Sequence, residues 1–111
     1  MRTHIDFSVI TVNGDAIGHI EGDINFSILP EIGDTICLML APKGSAIPSG
    51  HLAGGMLRVK DRIIWPEGTN MHVSLSLEDL VADTTEQAVR LMKYFDAEFG
   101  LIAVSNLLEE L

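Results

Sequence analysis

The sequence predicts an α+β fold, in which a five-stranded bent antiparallel sheet or partly open small β-barrel is followed by one C-terminal α-helix. Apolar and polar residues alternate over most of the chain before Asp83, as they do along half-buried strands. After Asp83 the apolar residues recur at the spacing of an amphipathic helix instead. Because the strands precede the helix, a parallel sheet built from βαβ units is not expected.

The first two strands are predicted over 4–12 and 16–29, joined by a turn at Asn13-Gly14. These two residue types tolerate the positive φ angles that a tight hairpin turn requires. A turn at this point fixes the register of the hairpin. The resulting cross-strand pairs are His4 with Asp23, Asp6 with Glu21, Phe7 with Ile20, and Ser8 with His19.

Three further strands are predicted over 35–40, 56–65 and 71–78. The third strand is expected to pair back onto the second strand, with Ile36 near Ile28. The apolar residues that share the inward face of these strands and of the helix are expected to form one core. This predicted core consists of Ile24, Phe26, Ile28, Leu38, Val73, Leu75 and Phe95.

The helix is predicted over 84–99. Two overlapping segments, 83–86 and 84–87, both have the spacing of a capping box, in which side chains of the first turn bond to its main-chain N–H groups. Gly100 suits the left-handed position that ends many helices. The segment 101–111 is too apolar for a solvated tail, and we expect it to pack as a short strand followed by a helical turn.

The composition limits the class of protein. A chain of 111 residues is expected to form one domain, 1–111, with a core that needs no disulfide. Sixteen acidic and seven basic side chains give a net charge of −9, which disfavours binding to nucleic acid or to a membrane. The single cysteine, Cys37, suits a reducing compartment. Because no apolar signal segment or membrane-spanning run is found, a soluble, cytoplasmic protein is expected.

The alternation stops over 41–55, a stretch rich in glycine, proline and serine. A loop of this length inside a small domain is unusual, and such loops are commonly functional or disordered. Two interpretations stay open. The loop is either a flexible connection without a role, or a lid that closes over a bound ligand.

The outward face of the first hairpin carries imidazoles and carboxylates, which are groups that bind divalent metals. The candidate metal ligands are His4, His19, Glu21 and Asp23. The alternative is a solvated face, on which His4 forms a weak ion pair with Asp23. Because no tight ligand spacing such as HExxH is present, we expect neither a metal nor another cofactor.

Three of the seven basic residues, Arg58, Lys60 and Arg62, alternate along the fourth strand and are expected to share one face as a basic stripe. Asp61 falls at an inward position of the same strand, which indicates a β-bulge or a strand end there. The stripe can protect an exposed sheet edge from aggregation. Alternatively, it can bind an anion or a protein partner, including the acidic hairpin face of a second copy.

No catalytic residues are predicted, because the sequence contains no nucleophile elbow, P-loop or dinucleotide-binding fingerprint. The leading hypothesis is a non-enzymatic module that associates with a second copy of itself or with another protein. Its expected interaction residues are the basic stripe and the apolar side chains Leu101, Ile102, Leu107 and Leu108. The alternative is a small-ligand-binding or enzymatic β-barrel that uses the 41–55 loop as a lid.

Overall fold

The computed structural model describes residues 2–48, 55–70 and 73–106, and in these ranges it contains seven strands and one helix. In chain order the elements are β1 (Arg2–Thr11), β2 (Ala16–Asn25), β3 (Thr35–Cys37), β4 (Met56–Ile64), β5 (Val73–Leu77), β6 (Leu80–Ala82), α1 (Thr85–Phe99) and β7 (Ile102–Ser105). The predicted α+β class is confirmed. No helix in the described ranges is long and apolar enough to cross a membrane.

The strands form an open, mixed sheet in the order β3-β4-β5-β1-β2-β7. On one side β1 is antiparallel to β2, and on the other side it is parallel to β5 and then to β6. The prediction of five antiparallel strands is therefore wrong in the number of strands and in their direction, and the sheet does not close into a barrel. The physical reason is that alternation identifies strands but not their partners, and the chain crosses to the far side of β1 after β2.

The first hairpin has the predicted register. The confirmed pairs are His4 with Asp23, Asp6 with Glu21, Phe7 with Ile20, and Ser8 with His19. Near the turn the register shifts between Val9 and Ile10, and Gly14 adopts a positive φ of 87°. This shift accompanies the burial of Ile17, which interrupts the simple alternation of β2.

β2 ends at Asn25, earlier than predicted, and Ile28 beyond it is 73% exposed. The prediction that Ile28 belongs to the core is therefore wrong. β3 pairs with β4 rather than with β2. The Gly33 N–H donates to the Val59 carbonyl oxygen at 3.0 Å, and the Val59 N–H donates to the Asp34 carbonyl oxygen at 2.9 Å. These two bonds attach the turn before β3 to β4 and direct β3 away from β2.

The core lies between the sheet and α1. At its centre Phe7 meets Phe95 edge to face, with 5.2 Å between the ring centroids, and both side chains are buried. Among the predicted core residues, the buried ones are Leu38, Leu75 and Phe95, and those partly buried against the core are Ile24, Phe26 and Val73.

α1 begins and ends where the sequence predicts. The Thr84 hydroxyl accepts a hydrogen bond of 3.1 Å from the Gln87 backbone N–H, which satisfies one of the free donors of the first turn. Gly100 ends the helix in the left-handed conformation, with φ of 69°. Between these residues the helix packs on one face of the sheet, against β1, β2, β6 and β7.

Two further contacts hold α1 against the sheet. Gly18 of β2 allows a close approach, because a Cβ there would lie 2.7 Å from the Val104 carbonyl oxygen and would overlap the side chain of Met92. On the other side of the helix, the Tyr94 hydroxyl donates a hydrogen bond of 3.0 Å to the Leu38 carbonyl oxygen. The helix is therefore fixed both to the β2–β7 side of the sheet and to the chain that follows β3.

The segment after the helix contains the predicted short strand, which is β7. The helical turn predicted after this strand falls on 107–111, outside the described residues. β6 was not predicted, because a strand of three residues is too short to show a period. Of the 41–55 loop, residues 49–54 lie outside the described ranges.

We expect Phe7→Ala to lower the free energy of unfolding by about 3–5 kcal/mol, because it creates a cavity at the centre of the core. Phe26→Ala removes a ring that is only partly buried and is expected to cost less. Urea unfolding of the two variants and of the wild type measures both losses. Equal losses would contradict the position of Phe26 at the rim of the core.

Candidate functional site

The outward face of the β1–β2 hairpin carries a cluster of ion pairs. Arg2 Nε donates a hydrogen bond of 2.7 Å to Asp23 Oδ2. His4 lies between two carboxylates, with its Nδ1 3.1 Å from Asp23 Oδ1 and its Nε2 3.6 Å from Glu21 Oε2. Burial alone raises the pKa of Asp23, but the hydrogen bonds and charges of His4 and Arg2 outweigh it and hold this pKa below its ordinary value of 3.8. The cluster is thus stabilised within the hairpin itself.

The four candidate metal ligands do not come together as one site. His19 lies apart from the ion-pair cluster, with its Nδ1 3.4 Å from the Ser8 hydroxyl. The nearby Asp6 carboxylate accepts a hydrogen bond of 3.2 Å from the Ser76 hydroxyl. In the described part of the chain, no three His, Cys, Asp or Glu side chains are grouped so that they could hold a metal ion. The structure brings three candidates close together, with His4 between the carboxylates of Glu21 and Asp23.

The basic stripe is divided by a β-bulge. The register of β4 against β5 shifts between Val59 and Asp61, where the sequence indicates a bulge or a strand end. After the shift Arg62 lies opposite the buried Leu75, on the other face of the sheet from Arg58. The expectation that the whole stripe shares one face is therefore wrong, because the extra residue of a bulge reverses the alternation that follows it. The buried Nε of Arg62 has no hydrogen-bond partner among the described residues.

β7 forms one edge of the sheet, with β2 as its strand neighbour among the described residues. In an antiparallel ladder, successive residues turn their main-chain groups alternately toward and away from the neighbouring strand. The Asn106 N–H donates to the Ile17 carbonyl oxygen at 2.8 Å, which fixes this alternation. Ile102 and Val104 therefore turn their main-chain groups toward β2, and Ala103 turns its N–H and C=O outward from the sheet.

The side chains of β7 leave this edge open to pairing. Ile102 is 59% exposed and Val104 is 51% exposed, on the face of the sheet opposite α1. The strand contains no charged residue and no proline, features that natural edge strands commonly use to prevent pairing. Among the described residues, β7 is therefore an uncharged edge strand with two exposed apolar side chains.

A groove of about 310 Å³ lies beside this edge, between β7 and α1. Its lining residues are Val89, Met92, Lys93, Asp96, Ala103 and Ser105. Lys93 and Asp96 are exposed and lie three residues apart on the same side of α1. The groove thus combines apolar side chains with one positive and one negative charge.

A second cleft, of about 380 Å³, lies between β3 and the segment that follows β2. Its lining residues are Phe26, Ser27, Ile28, Pro30, Asp34, Thr35, Ile36 and Cys37. The described residues of the 41–55 loop line neither cleft. They fold back instead, with a hydrogen bond of 2.8 Å from the Ile47 N–H to the Met39 carbonyl oxygen.

The structure separates the predicted interaction residues of the C-terminal segment. Leu101 is 1% exposed and packs in the core, whereas Ile102 is exposed on β7. Leu107 and Leu108 lie outside the described residues. The sequence did not identify Lys93 and Asp96 as site residues. Opposite charges three residues apart are common on helix surfaces, and only the structure places this pair beside the edge of the sheet.

No protein-family model, curated protein or solved structure matches this chain.

We expect Asp23→Asn to lower the stability slightly at neutral pH, because the ion pair with Arg2 is lost and the hydrogen bond with His4 is altered. Since the folded-state pKa of Asp23 lies below 3.8, its contribution is fully present above that pH and is lost as the pH falls through the lowered pKa. Urea unfolding between about pH 7 and pH 2 measures the effect, with the exposed Asp79→Asn as control. A stability difference that persisted at the lowest pH would contradict this assignment.

Excess zinc or nickel is expected to leave thermal unfolding unchanged, because the candidate ligands already bond to protein groups. A metal present at about 100 times its dissociation constant would add about 2.7 kcal/mol of stability, which is easily detected. A shift in the melting temperature that disappears in His4→Ala would show that the hairpin face binds the metal.

Proposed function

We propose that this protein is a non-enzymatic interaction module that self-associates through β7. One observation carries the proposal: β7 is an uncharged edge strand on which Ile102 and Val104 are each more than half exposed. Such an edge accepts a further strand, because main-chain hydrogen bonding and apolar burial then act together. A second copy of the chain supplies a matching strand in its own β7.

Other surfaces in the described part of the chain are less suited to assembly. β3, at the opposite edge, has three residues and offers few main-chain hydrogen bonds. On the hairpin face, Asp23 already forms an ion pair with Arg2 and a hydrogen bond with His4, and Asp6 is bonded to Ser76. Covering these groups would remove charges from water without giving them better partners, which is unfavourable.

The proposal includes protein partners and a cytoplasmic location. The net charge of −9 opposes binding to phosphate backbones, so a nucleic-acid partner is disfavoured. The chain's single cysteine, Cys37, is exposed and free, which is compatible with a reducing compartment.

Small-ligand binding is a second candidate function, favoured by the cleft beside β3. Four apolar side chains line it, namely Phe26, Ile28, Pro30 and Ile36. Its volume of about 380 Å³ is within the range of pockets that hold small apolar molecules. The cleft is open at Ile28, and the described part of the 41–55 loop does not cover it, so we prefer the assembly proposal.

We expect Val104→Lys to convert the assembled protein into monomers, because it places a charge in the pairing edge. Val12→Lys is the matched control, since Val12 is also 51% exposed but lies at the β1–β2 turn. Light scattering over a concentration series measures the mass, and urea unfolding checks that both variants remain folded.

The proposal predicts a larger species for the wild type and for Val12→Lys, and monomers for Val104→Lys alone. It is wrong if the wild type is monomeric at high micromolar concentration. It is also wrong if Val104→Lys assembles as well as Val12→Lys does, because β7 is then not the contact.

A further inference from the structure

We infer that two copies pair about a twofold axis through Ala103, so that β7 of each copy is antiparallel to β7 of the other and Lys93 of each α1 faces Asp96 of the other. This inference rests on the proposed self-association and specifies its geometry. Three observations carry it: the outward main chain of Ala103, the groove beside it, and the opposite charges of that groove.

The hydrogen-bond ladder limits the register of the pair. Ala103 turns its main-chain N–H and C=O outward, whereas its neighbours on β7 turn theirs toward β2. Two antiparallel β7 strands can bond only where outward-facing residues lie opposite each other. Within the strand this leaves three symmetric registers, in which Ala103 lies opposite itself, Ala103 lies opposite Ser105, or Ser105 lies opposite itself in the second copy.

The position of α1 selects the first register. Ala103 is two residues beyond Leu101, or about 6.6 Å along the strand at about 3.3 Å per residue. α1 rises about 1.5 Å per residue, so a point about 6.6 Å before Phe99 lies between four and five residues earlier in the helix. This point is midway between Lys93 and Asp96, at the same height as Ala103 on β7. A twofold axis at Ala103 therefore places Lys93 of each copy opposite Asp96 of the other.

The spacing across the joined sheet suits contact between the two helices. Neighbouring strands lie about 4.8 Å apart, so the β2 strands of the two copies would be separated by about 14 Å. Each α1 packs on β1 and β6 as well as on β2 and β7, so the two helix axes lie about as far apart as the β2 strands. Directly packed helices lie only about 8–10 Å apart, so the contact across the axis is made by the long side chains at the rim of the groove. The groove beside each α1 would then be covered by the second copy, and the partly buried Val89 would lose its remaining contact with water.

The charges of the groove are self-complementary under this symmetry. In a twofold contact, residue i of one copy meets residue j of the other, and j meets i. Lys93 and Asp96 are exposed on the same side of α1 and so form two identical pairs across the axis. For two chains that each carry a net charge of −9, this local attraction offsets part of the general repulsion.

A charge-reversal experiment tests the pairing. Lys93→Glu makes both rim residues acidic, and Asp96→Lys makes both basic, so each variant alone is expected to raise the dimer dissociation constant about tenfold. An equimolar mixture of the two variants is expected to recover wild-type affinity as a mixed dimer. Sedimentation at low salt measures the affinities, and native mass spectrometry identifies the mixed species.

Arg90→Glu and Glu86→Lys are the matched controls, because they change the net charge equally at exposed positions of α1 that do not line the groove. Both controls are expected to dimerise with nearly wild-type affinity. If Val104→Lys abolishes assembly but the rim variants behave like these controls, association through β7 stands and the twofold pairing is wrong. If the wild type is monomeric, both proposals are wrong.

Discussion

The edge-to-face contact between Phe7 and Phe95 joins β1 to α1, and the other elements are arranged around this contact. β1 pairs with β2 on one side and with β5 and then β6 on the other, so the helix is fixed to a strand that reaches both halves of the sheet. Phe95 also meets Tyr94 at 5.2 Å between centroids, and the Tyr94 hydroxyl bonds to the Leu38 carbonyl oxygen. The aromatic cluster therefore positions α1 relative to the β3 end of the sheet as well.

One helix cannot cover a sheet of this width. α1 has 15 residues and is about 22 Å long, and it packs against β1, β2, β6 and β7. α1 lies close to the β7 edge because Gly18 has no Cβ, and the Met92 side chain occupies the space that a Cβ there would need. The opposite face of the sheet stays in contact with water, and its polar side chains, such as Asp6 and Ser76, bond to one another. The same position of α1 creates the groove along β7.

The parts of the fold that depend on residues close in sequence could be predicted. The hairpin register follows from the turn at Gly14, and the ends of α1 follow from Thr84 and Gly100. Partners distant in sequence, such as β1 and β5, depend on packing that alternation does not encode. The β-bulge near Asp61 could be predicted, because Asp61 places a charge at an inward position of the strand. The placement of Arg62 on the other face of the sheet could not be predicted, because it depends on the register of β4 against β5.

The candidate site could be predicted only in part, since it combines a strand edge with a helix surface. The apolar C-terminal segment indicates an interface, but the alternation of the strand divides it: Leu101 is buried in the core, while Ile102 and Val104 remain exposed. The buried Leu101 holds this segment to its own domain. The exposed side chains of Ile102 and Val104 form the apolar surface that the proposed contact would cover. The hairpin face differs, because Asp23 is already bonded to Arg2 and His4 within one copy. Its charges stabilise the single chain, whereas the proposed contact between chains lies at the edge of β7.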